Sequence, residues 1–263
     1  WVYYDFRCDK GGSILDFVMQ QAGLNLGRAR KELRKGLPHN IKFSSHTARL
    51  PKPRTATKDR QRSAWEYADT SPITKRHDYL ERRGIFLESV LADRFTGVVR
   101  ADRYGNACFP YFDYGGVAGV EKRNENFKCY TKGGSKGLWR SNLMERDVSA
   151  VICEAPIDAL SYAKLRHDSN DRTRYFATGG QISRFQWELI DGLMKKYLSQ
   201  KIAIILAFDN DPGGKAYIRQ FQSRYPELEI MVDSPSQQGQ DWNDALQSSV
   251  SASTAVGNPS HRF

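Results

Sequence analysis

Apolar positions follow one rhythm before Val148 and another after it. In the second half, Ser149-Ala150-Val151-Ile152-Cys153 is an apolar run without polar alternation, the pattern of a strand covered on both faces. Pro156 suits a first helical turn and opens a helix through about Leu165. Tyr175 to Ala177 predicts a second strand, Ser183 to Leu198 a helix, and Ile202 to Phe208 a third strand. Lys215 to Tyr225 follows as a helix and Leu228 to Val232 as a last strand. Strand–helix alternation of this kind gives an α/β fold: a parallel sheet with helices on both faces and the working residues at the carboxyl ends of its strands.

The first half reads differently. Trp1 to Phe6 predicts a short strand, Gly11-Gly12 a turn, and the stretch after them two helices, the first capped by Ser13 and the second stopped by Gly36. Residues 38–71 turn to Pro, Thr, Ser, Lys and Arg with few large apolar side chains, which reads as a basic linker that orders on meeting a partner. Residues 72–95 carry Tyr79, Leu80, Ile85, Phe86, Val90 and Leu91 at helical spacing. Short β-type runs follow at Gly97–Arg100, Ala107–Phe112, Gly116–Arg123 and Phe127–Thr131, with a hairpin at Tyr114-Gly115-Gly116. The expected organisation is a remnant segment at 1–37, a linker at 38–71, a basic α+β unit at 72–147, the α/β domain at 148–247 and a flexible Ser-rich tail at 248–263.

Charge sharpens this division. The chain has 263 residues and a net charge of +10. Residues 1–150 hold 28 Lys and Arg against 17 Asp and Glu, a net of +11, whereas residues 151–263 hold 12 against 13, a net of −1. A basic half joined to a near-neutral half with clustered acids suits a polyanion held by one and handled by the other, although a solvated basic surface would look the same. No apolar run approaches the roughly 20 residues of a membrane helix, so no membrane partner is expected. The start has no signal-peptide order and no initiator Met, which reads as a piece of a longer protein. Four scattered cysteines suit a reducing cytoplasm.

Carboxylates gather at the predicted strand ends. Glu154 follows the first strand, with Asp158 one helical turn later; Asp209 and Asp211 follow the third; Asp241 and Asp244 follow the last. So much negative charge in one place is costly unless a cation neutralises it. Oxygen ligands without His or Cys nearby favour Mg²⁺ or Mn²⁺ over zinc, and such cations recur in phosphodiester chemistry. A lone Asp-x-Asp before glycine is commonly only a turn or cap; the three groups in this order favour a metal site.

Val151 to Leu160 resembles the glutamate motif of TOPRIM domains, and Ile204 to Gly214 their Asp-x-Asp motif, with Thr178-Gly179-Gly180 at the family's small-residue turn. The resemblance implies Glu154 as general acid/base and Asp209 and Asp211 as binders of Mg²⁺, these three forming the catalytic set. Asp158, Asp241 and Asp244 would be secondary acids. Phe109 to Arg123, continued by Lys136-Gly137-Leu138-Trp139, is similar to the basic subdomain that precedes TOPRIM in bacterial DnaG-type primases. There, basic residues hold single-stranded template and incoming nucleotide; Arg123, Lys128 and Lys136 match best, and Arg100, Arg103, Lys122 and Lys132 complete the candidate set. Cys8 to Val18 resembles the end of a primase zinc ribbon, but Asp5 stands where a second Cys is usual, so a zinc site is not expected of this chain. Tyr79-Leu80-Glu81-Arg82-Arg83-Gly84-Ile85 and Asp241-Trp242-Asn243-Asp244-Ala245-Leu246 resemble runs in TOPRIM proteins of plasmids and conjugative elements.

The expected function is that of a primase-like nucleotidyltransferase on single-stranded DNA, serving a plasmid or mobile element, with a replicative helicase or a relaxase as the expected protein partner. Two alternatives remain open at this point: a TOPRIM nuclease or topoisomerase-like enzyme, and a non-catalytic DNA-binding accessory of plasmid transfer.

Overall fold

In the computed structural model, residues 2–5, 10–24, 26–35, 60–166 and 172–256 are described. The chain divides into two units, Trp1–Thr57 and Lys58–Phe263. In the first, β1 (Val2–Asp5) pairs antiparallel with β2 (Lys10–Ser13), and α1 (Ile14–Ala22) and α2 (Leu26–Lys35) follow. The turn expected at Gly11-Gly12 is strand instead: Gly11 faces Tyr4 and Gly12 faces Tyr3 across the pair. Cys8, Gly36, most of the expected linker and the end of the tail lie outside the described residues.

The second unit begins with α3 (Arg60–Ala68) and β3 (Thr70–Pro72), where the linker was expected to continue. Polar contacts rather than apolar ones fasten α3. The buried Ser63 hydroxyl donates to the Ala118 carbonyl at 2.8 Å, and Thr131 Oγ1 donates to the buried Glu66 carboxylate at 2.9 Å. A helix held in this way has no apolar stripe to announce it. Short helices α4 (Asp78–Arg82) and α5 (Leu87–Leu91) come next. Then β4 (Arg100–Asp102), β5 (Ala107–Asp113), β6 (Gly116–Asn124), β7 (Phe127–Tyr130) and β8 (Leu138–Arg140) follow.

The remaining elements are β9 (Ser149–Cys153), α6 (Pro156–Leu165), β10 (Thr173–Ala177), α7 (Arg184–Gln200), β11 (Ala203–Ala207), α8 (Pro212–Arg224), β12 (Ile230–Val232) and α9 (Trp242–Val256). Strands β12, β11, β9 and β10 run parallel in that spatial order. Side chains of β9 alternate between two cores. Val151 and Cys153 pack with Ile157 and Leu160 of α6 and Trp242 and Leu246 of α9; Ala150 and Ile152 pack with Leu189, Ile190 and Met194 of α7 and Phe221 of α8. Both faces are therefore covered, which is why the strand carries no polar alternation.

The basic α+β segment does not form a separate sheet. β8 pairs antiparallel with β10 on one side and with β5 on the other, so a single ten-stranded sheet runs from β12 to β3, with β6 and β7 joined to β5. The core that holds Val151 and Leu160 also holds Tyr79, Leu80, Phe109, Tyr111 and Trp139. A buried ion pair, Arg94–Asp147 at 2.6 Å, fastens the chain between β8 and β9 to the segment after α5. α9 runs on through residues expected to be a flexible tail. The Ser248 and Ser251 hydroxyls close onto carbonyls one turn back, at Asp244 and Gln247. No helix among the described residues is long and apolar enough to cross a membrane.

Trp139 sits at the joint, fully buried, stacked on Phe95 and donating its indole N–H to the Val98 carbonyl at 3.2 Å. Trp139→Ala is expected to cost about 3–5 kcal/mol in chemical denaturation. A loss under about 1 kcal/mol would mean that the joint is not part of a common core.

Candidate metal centre and basic face

Glu154 leaves the end of β9 as the chain turns into α6. Its backbone carbonyl is gripped from the end of β10: the amides of Gly179 and Gly180 donate to it at 2.7 and 3.1 Å, and the Thr178 hydroxyl at 3.3 Å. Gly179 has φ +74°, and a Cβ there would lie 2.6 Å from the Tyr111 hydroxyl, so the turn needs glycine both for its backbone and for its fit against β5. Burial raises the Glu154 carboxyl, Asp211 raises it further, and the positive charges of Lys128 and Lys136 pull the other way.

Asp209 and Asp211 follow β11. Asp211 caps α8 by accepting the Gly214 amide at 2.7 Å. A Cβ at Gly214 would run into the Asp209 carbonyl, so the glycine lets the helix start directly beside the first aspartate. Asp209 Oδ1 is buried with no hydrogen-bond partner among the described residues. Burial, with Asp158, Glu154, Asp241 and Asp211 adding repulsion, pushes Asp209 up to about 8. An orphaned carboxylate oxygen facing four other acids fits a hard cation better than any arrangement of protein donors nearby. Glu154, Asp209 and Asp211 are the residues that would hold such an ion. As the side chains stand, no group of three or more His, Cys, Asp or Glu among the described residues is placed to hold a metal ion.

The other acids play narrower parts. Asp158 is buried and accepts the Ala155 amide at 3.0 Å, closing the first turn of α6 rather than projecting from a strand end. Burial and then Asp241 push it up to about 7, with Arg123 opposing. Asp241 and Asp244 do not stand at a strand end either; they begin α9, after a loop that follows β12. Asp241 accepts the Asp244 amide at 2.6 Å, and its charge acts on Asp209, Asp158 and Glu154. Asp244 is exposed, and its carboxylate accepts the Asp241 amide at 3.5 Å at the start of α9. The residue that pins the loop before Asp241 is Asn210, which stands between two aspartates in the sequence. Its amide donates to the Gln240 carbonyl, its carbonyl accepts from Gly239, and its side chain donates to the Pro235 carbonyl, at 3.0, 2.7 and 2.9 Å.

The seven basic candidates separate by strand parity. Arg123 and Lys128 face each other across β6 and β7 and share a face; Lys122 lies on the opposite face, 3.7 Å from Glu66 under α3. Lys136 donates to the Gln181 carbonyl at 2.6 Å, and burial lowers its pKa, with Glu121 opposing. Arg123, Lys128 and Lys136 thus bring positive charge to the acids. Arg100 is spent on the fold: it binds the Thr70 hydroxyl and carbonyl at 2.6 Å each and lies 4.5 Å over the Tyr67 ring. Arg103 sits by Asp69 and Tyr104 at the outer end of β4, and Lys132 is exposed in the turn after β7. Arg100 and Lys122 are thus engaged within the fold, away from the face that Arg123 and Lys128 share. Glu121, buried between Tyr111 and Arg123, was missed. Its position two residues before Arg123 on an alternating strand was the available signal.

The runs Tyr79–Ile85 and Asp241–Leu246 meet in the fold. Asn243 Nδ2 donates to the Arg83 carbonyl at 2.7 Å, and Arg83 Nη1 donates to Asn243 Oδ1 at 3.2 Å.

The raised acids give a pH prediction. Asp209 titrates near 8 when folded, against roughly 4 for an ordinary carboxylate. Between those values the folded state binds more protons than the unfolded one. Cation-free stability is therefore fully present below about pH 4 and is lost as pH rises through about 8. Thermal midpoints in chelator are expected to fall over that range, to recover on adding Mg²⁺, and to respond less to both in Asp209→Asn. A midpoint indifferent to pH and Mg²⁺ in the wild type would contradict this electrostatic picture.

Residues 151–246 match the Toprim-like family, and residues 78–147 match a family of unknown function, DUF3991. No curated protein matches the chain significantly. Among solved structures the chain is similar to the Aquifex aeolicus primase (zinc-binding and RNA polymerase domains), with 15% identity over 97% of this chain and 72% of that one and a TM-score of 0.36. It is also similar to a bacteriophage T7 structure of lagging-strand DNA polymerase with primase domains of two gp4 subunits bound to an RNA/DNA hybrid and dTTP. There the identity is 16% over 67% of this chain and 87% of that one, with a TM-score of 0.39.

Proposed function

We propose that this chain, which carries a Toprim-like domain over residues 151–246, is a primase-like nucleotidyltransferase that joins nucleotides on single-stranded DNA in the service of a plasmid or mobile element. The observation that carries the reading is the meeting of two opposite charges on one sheet. Lys128 and Lys136, from the basic segment, act on Glu154 at the acidic edge, and Arg123 acts on Asp158. A basic face beside metal-binding carboxylates suits a substrate held by its phosphates and reacted at one of them.

Glu154 accepts the proton of a 3′-hydroxyl that attacks the α-phosphorus of the incoming nucleoside triphosphate, and pyrophosphate leaves as the α–β phosphoanhydride bond breaks. The burial of Glu154 favours this, because a carboxylate with a raised pKa is a better base near neutrality. Asp209 and Asp211 hold Mg²⁺ or Mn²⁺, which when bound would polarise phosphoryl oxygens and offset the charge of the transferring phosphate. Arg123 and Lys128 take the phosphates of nucleotide and template, and Lys136 fixes the turn that leads into α7 by its bond to Gln181. Template contacts of this kind read backbone rather than sequence. The mobile-element setting rests on the resemblance of the Tyr79–Ile85 and Asp241–Leu246 runs, which meet in the fold through Arg83 and Asn243. A replicative helicase or a relaxase in the cytoplasm is the protein partner this setting implies.

The test is incubation with single-stranded DNA, Mg²⁺ or Mn²⁺ and labelled nucleotides, beside Glu154→Gln and Asp209→Asn. Short labelled products are expected from the wild type, reduced by about 10²–10⁴-fold in Glu154→Gln and abolished in Asp209→Asn. Shortened template with no product would replace the reading with a nuclease. Tight DNA binding with no product, unchanged by either variant, would replace it with a non-catalytic accessory.

A further inference from the structure

Glu121 is an expensive residue in its position. It is 3% exposed on β6, where an apolar side chain would satisfy the core at less cost. Both its oxygens are engaged. Oε2 accepts the Tyr111 hydroxyl at 3.0 Å, and Oε1 accepts Arg123 Nε. Glu121 engages Arg123 at Nε alone, and among the described residues the two terminal nitrogens have no hydrogen-bond partner. Tyr111 in turn lies against Gly179, in the turn whose amides grip the Glu154 carbonyl.

Through Glu121 and Tyr111, Arg123 is linked by direct contacts to the Gly179 turn that grips Glu154, and its charge opposes the rise of Asp158. A largely buried guanidinium near several carboxylates has an alternative, which is to pair with one of them. That pairing would neutralise part of the charge that a cation needs and would remove the guanidinium from any substrate.

We propose that Glu121 is a positioning residue that holds Arg123 back from the carboxylates of the acidic centre, keeping those carboxylates available to a divalent cation and the guanidinium available to a substrate phosphate. The inference rests on the reading of Glu154, Asp209 and Asp211 as a cation site. Glu121 competes for the guanidinium at Nε, and the hydrogen bond from Tyr111 fixes the competing carboxylate in place. Tyr111, packed against Gly179, also ties this pair to the turn behind Glu154.

The test reads cation affinity by electron paramagnetic resonance of Mn²⁺ alone, without DNA or nucleotide. Glu121→Gln keeps the shape and loses the charge, so Arg123 is expected to move onto the acids and Mn²⁺ affinity to fall about 10-fold or more. Adding Arg123→Ala to Glu121→Gln is expected to restore wild-type affinity, although the Glu121 contacts remain lost; Arg123→Ala alone should bind as well as the wild type or better. Glu121→Ala, checked for folding by circular dichroism, should follow the same pattern. Unchanged affinity in Glu121→Gln would overturn the inference while leaving the cation site standing. So would a loss that Arg123→Ala does not reverse, because that result is what a purely structural role gives. A wild type that holds no Mn²⁺ would overturn the cation site and this inference together.

Discussion

Uncompensated negative charge at the end of β11 is the constraint on which the rest of the site depends. Asp209 keeps one oxygen buried and without a donor among the described residues, while Glu154, Asp158, Asp211 and Asp241 all press charge towards it. An arrangement of this kind is unfavourable alone and becomes favourable with a cation. The local architecture maintains it in spite of its cost. Gly214 lets α8 start beside Asp209, Asn210 pins the loop that brings Asp241 near, and the Thr178–Gly180 turn fixes the carbonyl of Glu154. These supports are hydrogen bonds to backbone carbonyls and close approaches, so they hold the charges in place without neutralising them.

The second constraint is continuity. β8 is three residues long, yet it joins the parallel half of the sheet to the antiparallel half, with Trp139 buried at the seam. Arg123 and Lys128 therefore stand on strands of the same sheet that carries the acids. Their distance from the acidic edge is set by strand register rather than by a flexible connection. Substrate phosphates held on such a face would meet the carboxylates without a large closing motion, which is the kind of preorganisation that phosphoryl transfer needs.

Much of this was legible in the sequence, for identifiable reasons. The apolar runs at 149–153 and 202–208 lack polar alternation because both faces of β9 and β11 are covered, and the pattern records that directly. Glu154, Asp209 and Asp211 stand directly after those strands, so spacing alone placed them together. What was not legible depended on contacts between distant residues. α3 is held by Ser63 and Glu66, which look like solvent-facing residues until Ala118 and Thr131 are brought against them. The end of α9 is rich in serine, and its helix depends on the burial of Leu246 and on hydroxyls that fold back on the backbone. Arg100 and Lys122 counted equally with Arg123 as charges; only parity and partners separate them. Asp244 and Asp158 read as strand-end acids because their capping roles involve backbone amides that composition does not reveal.

The proposed function depends on a divalent cation at Glu154, Asp209 and Asp211. Anomalous diffraction from crystals soaked in Mn²⁺ tests it most directly. The account predicts one or more manganese peaks within coordination distance of an Asp209 carboxylate oxygen, with Glu154 or Asp211 as a further ligand. Saturating Mn²⁺ that gives no peak there, or a peak only at the exposed Asp244, would contradict it.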